Sequence, residues 1–146
     1  AILNMLPGEI FGNPDLFKLE MLQLREAISV MTALNCDVVD LPATPVRLLA
    51  MGAGLPFSIS QPVMSKFLSK GRGDKKPSLL IDMQNNSERS EVDYLNGAVV
   101  RFGENLGIQT PVNRLLTDTL IALIKGRIAR GEFDHRPEKL FDKLMI

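Results

Sequence analysis

The chain has 146 residues, 45% of them hydrophobic and 23% charged, with seventeen acidic and seventeen basic side chains. That describes one globular domain with a real core, and the balanced charge argues against nucleic acid as the main partner, since phosphate neutralisation needs a basic excess. No apolar run reaches the roughly 18–20 residues of a membrane span, and the single cysteine, Cys36, excludes an internal disulfide and fits a reducing, cytoplasmic setting.

The chain opens without methionine into A-I-L-N-M-L-P-G-E-I, with no basic leader or cleavage site. This reads as the end of a helix already under way, so a fragment of a longer polypeptide is expected. Asn13 caps and Pro14 starts a long helix to about Leu34, with Phe17, Met21, Leu24, Ile28 and Met31 on its core face and Lys18, Gln23 and Arg25 on a polar one. Asn35 to Pro42 is a connection, with Cys36 expected as a small buried hydrophobe. Thr44 and Pro45 start a short helix that Gly52 and Gly54 end. Ser60 is expected to cap the next helix, with Val63, Met64, Phe67 and Leu68 turned to the core and Gly71 as its stop.

Lys70 to Lys76 is a glycine-rich basic loop without the pattern of a P-loop or of a dinucleotide fingerprint. It reads either as a solvated connector or as a positive rim that attracts an anionic substrate. Lys76 to Gly97 then combines a helical turn begun at Pro77, a polar break at Gln84 to Ser87 and a second helix with Glu88, Glu91 and Asp93 in its first turn. In that helix Val92, Leu95, Val99, Phe102 and Leu106 fall on one face, which predicts a buried stripe. Glu91 sits at the edge of the stripe, where it either stabilises a helix N-terminus or faces a ligand between elements.

Gly107 stops this helix, Thr110 caps and Pro111 starts the next, and Gly126 ends that one. Its apolar residues cover more than one stripe, which predicts a central position or a second packing partner, and a homodimer is one such partner. A last short helix begins at Pro137, behind a solvated His135. Six of the nine prolines fall at helix starts and no strand-period run of useful length occurs. Both facts predict an all-α, bundle-like domain over residues 1–146. The chain holds no complete catalytic set, and its ligand count excludes a zinc site.

Three blocks carry a family resemblance: P-S-L-L-I-D at Pro77 to Asp82, R-S-E-V-D-Y-L-N-G at Arg89 to Gly97, and G-I-Q-T-P-V-N at Gly107 to Asn113. In order and spacing they resemble the C-terminal domain of the ketopantoate reductase (2-dehydropantoate 2-reductase) family, with weaker similarity from about Leu3 to about Leu123. The resemblance implies the helical half of a two-domain dehydrogenase, similar in kind to the 6-phosphogluconate dehydrogenase C-terminal fold. An upstream Rossmann domain would bind NADPH, and a 2-oxo acid substrate would lie between the domains. By the same resemblance Ser78 hydrogen-bonds the substrate and Glu91 holds the substrate's hydroxyl end beside a catalytic lysine. That lysine lies upstream of Ala1 in the family and Asn4 does not replace it, so this chain alone is expected to be inactive. Asp82, Asn96 and Asn113 match family positions and read as structural. The resemblance leaves open a paralogous reductase of another oxo acid or ketone, and the residues alone leave open a non-catalytic association module.

Overall fold

The computed structural model describes residues 1–42, 44–72 and 91–144, apart from the side chains of 65–72. Among these residues the architecture is all-α, as expected. An isolated bridge between Leu41 and Thr44 is the nearest approach to a strand. The elements in order are α1 (Pro7–Gly12), α2 (Pro14–Ala33), α3 (Val46–Gly54), α4 (Phe57–Arg72), a 3-10 turn (Glu91–Asp93), α5 (Asn96–Leu106), α6 (Pro111–Ile124) and α7 (Pro137–Phe141). The helix expected from Pro77, the break at Gln84 to Ser87, and the residues Ser78, Asp82 and Glu88 lie outside the described residues, as does the basic loop beyond Arg72.

Helix α2 is the spine. Asn13 caps it as expected, its Oδ1 accepting from the Asp15 and Leu16 N–H groups at 3.0 and 3.1 Å, a cap worth about 1 kcal/mol. Pro14 occupies the first turn, where a missing N–H costs nothing. Its apolar residues form two faces, where a single stripe was expected. Leu16 and Leu19 enter one core with Val92, Val112, Leu120, Leu123, Phe133 and Leu140. Phe17 and Met21 enter a second with Phe11, Ala53 and Met64, flanked by Leu24 and Ile28. Burying each such side chain is worth about 1.5–3 kcal/mol, so a helix with two apolar faces joins two cores. Gln23 and Arg25 correct the expected polar face. Arg25 donates from Nε to Ala53 O and from Nη2 to Leu55 O, and its guanidinium stacks 4.3 Å from the Phe57 ring centroid. It ties α2 to the end of α3 rather than facing water.

Four further expectations are corrected. Ala1 to Met5 do not end a helix: Ile2 and Leu3 form a turn, Asn4 takes φ 50°, and the first helix begins at Pro7. Cys36 is exposed, because α2 ends at Ala33, Asn35 takes φ 57°, and the connector runs over the surface. Ser60 is not a cap, since α4 starts at Phe57 after Pro56. Ser60 and Met64, four apart, then face inward, and Val63 turns out to 69% exposure. Finally, Val92 to Leu106 is not one stripe. The chain turns in a 3-10 segment and α5 restarts at Asn96, which shifts the helical phase. Gly97, Val100 and Gly103 now face inward, while Leu95, Phe102 and Leu106 are exposed. The small residues bring α5 close to its neighbours, since a Cβ on Gly103 would stand 2.9 Å from Ile108 O.

Helix α6 has the expected central place. It packs on α2, α5 and the 3-10 turn, buries Val112, Leu120 and Leu123, and lays Leu115, Leu116, Ile121 and Ile124 against the same core. Its apolar breadth is therefore used within the chain. Gly107 and Gly126 end α5 and α6 at φ 69° and 67°, a region that favours glycine. The C-terminal segment then returns to the chain start. His135 N donates to Leu3 O at 2.9 Å, and Phe133, Leu140 and Leu144 close the first core over Ile2 and Leu3. On its surface Lys139 Nζ donates to Glu132, and this hydrogen bond, with the ammonium charge, holds the Glu132 carboxyl below its ordinary range.

Candidate functional site

Glu91 opens the 3-10 turn, not the first turn of an α-helix, so the favourable dipole of a long helix does not reach it. The turn is tight: Glu91 O accepts from Tyr94 N at 3.0 Å and Leu95 N at 2.9 Å. Val92, 2% exposed, is driven into the first core and anchors the turn from below. Glu91 itself is exposed, and among the described residues no side chain hydrogen-bonds or pairs with its carboxylate. Beside it Tyr94 is 79% exposed and Leu95 56%.

Among the described residues, two side-chain contacts hold the turn and the start of α5 in place. Arg101 donates from Nη1 to Asp93 Oδ1 at 2.9 Å and from Nη2 to Asp93 O at 3.0 Å. Both side chains are about half exposed, so the pair adds geometry more than stability. Gly97 makes room for it, because a Cβ there would meet Asp93 Oδ1 at 2.7 Å. The second, part-buried, joins the start of α5 to α6: Asn96 Nδ2 donates to Asn113 Oδ1 at 3.0 Å. Asn113 is 1% exposed, and its own Nδ2 donates to Gln23 O and to Glu26 Oε2. The structural reading of Asn96 and Asn113 is borne out by these bonds.

Glu26 completes the network, and sequence reading missed it. Thr110 precedes α6 as expected, yet its side chain makes no capping bond. Instead Glu26 of α2 accepts from Val112 N at 2.8 Å on Oε1 and from Asn113 N at 2.9 Å on Oε2. A carboxylate from a neighbouring helix thus satisfies N–H groups that a local cap would otherwise serve. Nothing local signals this, because a glutamate in the middle of a half-polar helix reads as solvated.

Beneath the turn lies a cavity of about 230 Å³, walled by apolar side chains such as Leu16, Leu19, Val92 and Leu120, with Glu20, Gln23 and Asn96 as polar lining. Glu91 does not line it. Val92 points into the cavity side and Glu91 lies on the outer side of the same turn. Ser78, the other residue expected to touch substrate, lies outside the described residues. The described site is therefore a solvent-facing carboxylate on a turn fixed from below. Such a group can accept a hydrogen bond from an alcohol or pair with a cation.

Among the described residues, no helix is long and apolar enough to cross a membrane. No solved structure matches the chain. Curated relatives do. A 2-dehydropantoate 2-reductase of Pyrobaculum aerophilum is 32% identical over 127 residues, covering 87% of this chain and 37% of the relative. One of Streptococcus pyogenes is 44% identical over 122 residues, 84% of this chain and 34% of the relative, and one of Archaeoglobus fulgidus is 27% identical over 126 residues. The chain thus spans about a third of the length of these curated relatives. The family model described as ketopantoate reductase PanE/ApbA C terminal matches residues 1–124, which include the elements from α1 to α6 together with Glu91, Asn96 and Asn113. The chain belongs to the ketopantoate reductase C-terminal domain family.

Proposed function

We propose that this chain is the substrate-binding half of an NADPH-dependent reductase that converts 2-dehydropantoate to pantoate, on the way to pantothenate. The observation that carries the reading is Glu91: it stands in the R-S-E-V-D-Y-L-N-G block of the family, exposed and without a partner among the described residues, on a turn anchored by Val92 and Asn96. A carboxylate so placed can accept from the hydroxyl of a hydroxylated oxo acid and hold that end of the molecule still. The names of the relatives in three organisms support the same substrate.

No glycine fingerprint occurs in this chain, so NADPH is assigned to a dinucleotide-binding domain preceding it. That cofactor supplies the hydride; this chain's own residues bind and orient. The general acid is assigned to the upstream lysine, so this chain by itself is inactive in this reading. The exposed Tyr94 and Leu95, three and four residues after Glu91, give the preceding domain a surface to close on. Because α6 uses its apolar residues inside the fold, a homodimer would have to use other surface, such as the exposed Leu48, Met51 and Ile59 of α3 and α4.

The test is NADPH oxidation by the full-length protein with 2-dehydropantoate beside a panel of 2-oxo acids. Selective turnover of 2-dehydropantoate is expected, and Glu91→Gln should lower kcat/KM by about a hundredfold or more, the scale of a lost orienting interaction. Selective turnover of another oxo acid would leave the family and move the substrate to the paralogous reading. A Glu91→Gln variant as active as the parent would remove Glu91 from the site.

A further inference from the structure

The buried polar network lies between three helices and ends at the turn that carries Glu91. Its first member is Glu26 in the middle of α2, both of whose carboxylate oxygens accept from the first turn of α6. Its second is Asn113, whose carboxamide makes three bonds: Nδ2 donates to Glu26 Oε2 at 2.7 Å and to Gln23 O at 3.0 Å, and Oδ1 accepts from Asn96. Its third is Asn96, the first residue of α5, which directly follows Leu95, whose N–H closes the turn onto Glu91 O. A further polar hold on this turn, Arg101 on Asp93, is half exposed and weak. The buried network therefore fixes the turn's height above α2.

We propose that Glu26 is a positioning residue for the proposed reduction: through Asn113 and Asn96 it sets where the turn presents Glu91. The inference rests on the reading of Glu91 as a substrate contact. Two features favour positioning over simple capping. A cap for α6 needs only an oxygen at one or two N–H groups, which the hydroxyl of Thr110 is placed in sequence to give. Glu26 makes a third bond, to the Asn113 side chain, and that bond orients the carboxamide so that Oδ1 faces Asn96. Reversing or freeing this carboxamide would set a donor against a donor at Asn96. A displacement of the turn on the order of 1 Å is enough to cost up to about a hundredfold in turnover.

The test is a double-mutant cycle in the full-length enzyme, read as kcat/KM for 2-dehydropantoate with NADPH. Glu26→Gln replaces one acceptor oxygen by a donor and breaks the pattern without removing bulk, so a loss of about tenfold or more is expected. In a Glu91→Gln background the same change should cost less than about twofold, because its effect passes through Glu91. Losses that multiply in the double variant would overturn the proposal and leave Glu26 as a cap. Should Glu26→Gln fail to fold, Asn96→Ala, which keeps the α6 cap and cuts only the last link, carries the same cycle with the same two outcomes. A fully active Glu91→Gln enzyme overturns the proposal together with the reading beneath it, whereas an impaired Glu91→Gln with multiplying losses overturns the proposal alone.

Discussion

The two cores on either side of α2 are built to different standards. On the first, formed with α6, the 3-10 turn and the C-terminal segment, eleven apolar side chains are buried among the described residues, beside the cavity of about 230 Å³. The buried Asn113 there makes three side-chain hydrogen bonds to neighbours. On the second, formed with α1, α3 and α4, the enclosed residues are fewer among those described. Leu48, Met51, Ile59 and Val63 stand more than half exposed around a groove of about 240 Å³, and Ser60 Oγ is buried with no hydrogen-bond partner. The difference teaches where this domain needs precision. The side that fixes Glu91 is the one that links Glu26, Asn113 and Asn96 in one network, and this linkage, rather than complete satisfaction, sets it apart, since Thr117 Oγ1 of α6 is buried there without a partner among the described residues.

Truncation tests the contrast most strongly. Phe133 is 1% exposed and touches residues from both ends of the chain, so Phe133→Ala should cost about 3–5 kcal/mol of unfolding free energy. Met64, 7% exposed, borders the open groove, where neighbours can relax into the space, so Met64→Ala should fall at the low end of its range, about 2 kcal/mol. Urea unfolding of the two variants separates them. Equal losses would mean that the second core is as tightly built as the first.

The same contrast decided what could be read from sequence. The helix starts at Pro14, Pro111 and Pro137, the stop at Gly107 and the all-α class follow from local chemistry, because proline and glycine restrict the backbone wherever they stand. The faces were less legible. Periodicity assigned Leu95, Phe102 and Leu106 to the core, yet a turn of three residues before α5 reset the phase and glycines took the inner positions. A glycine adds nothing to an apolar pattern, so a close approach built on Gly97 and Gly103 is invisible to it. Of the candidate site, Glu91 came from a family block. Its support by Glu26 was not legible, because a bond between residues 86 and 87 positions apart leaves no trace in spacing.

A subtler test uses two glycines, one on each side. A Cβ on Gly103 would meet Ile108 O and Thr110 Cγ2, both at 2.9 Å, and that carbonyl belongs to a loop whose Ile108 N–H is bonded back to Gly103 O at 2.8 Å. Neither can move alone, so Gly103→Ala should destabilise by about 1–3 kcal/mol despite alanine's better helix propensity. A Cβ on Gly52 would meet Met64 first, at Sδ, Cε and Cγ. That thioether can swing towards the groove, and the gain in helix propensity of about 1 kcal/mol offsets the disturbance. Gly52→Ala should therefore lie within about 1 kcal/mol of the parent. If the order were reversed, the looser side would be the one around α5.

The smallest effect has the opposite sign. Ser60 is 2% exposed inside α4, and its hydroxyl has given up water without gaining a partner. Leaving a buried donor unmade costs about 1–3 kcal/mol, and serine is also a poorer helix former than alanine by a few tenths, about 0.5 kcal/mol. Ser60→Ala removes both penalties and only one atom of packing. It should raise stability by about 1 kcal/mol, read as a higher urea midpoint at unchanged slope. Removing the side-chain polar groups of Glu26 or Asn113 on the other side takes away bonds already made, so it can only lose. A lower midpoint for Ser60→Ala would show that the hydroxyl holds something in place, and the two cores would then differ in size alone.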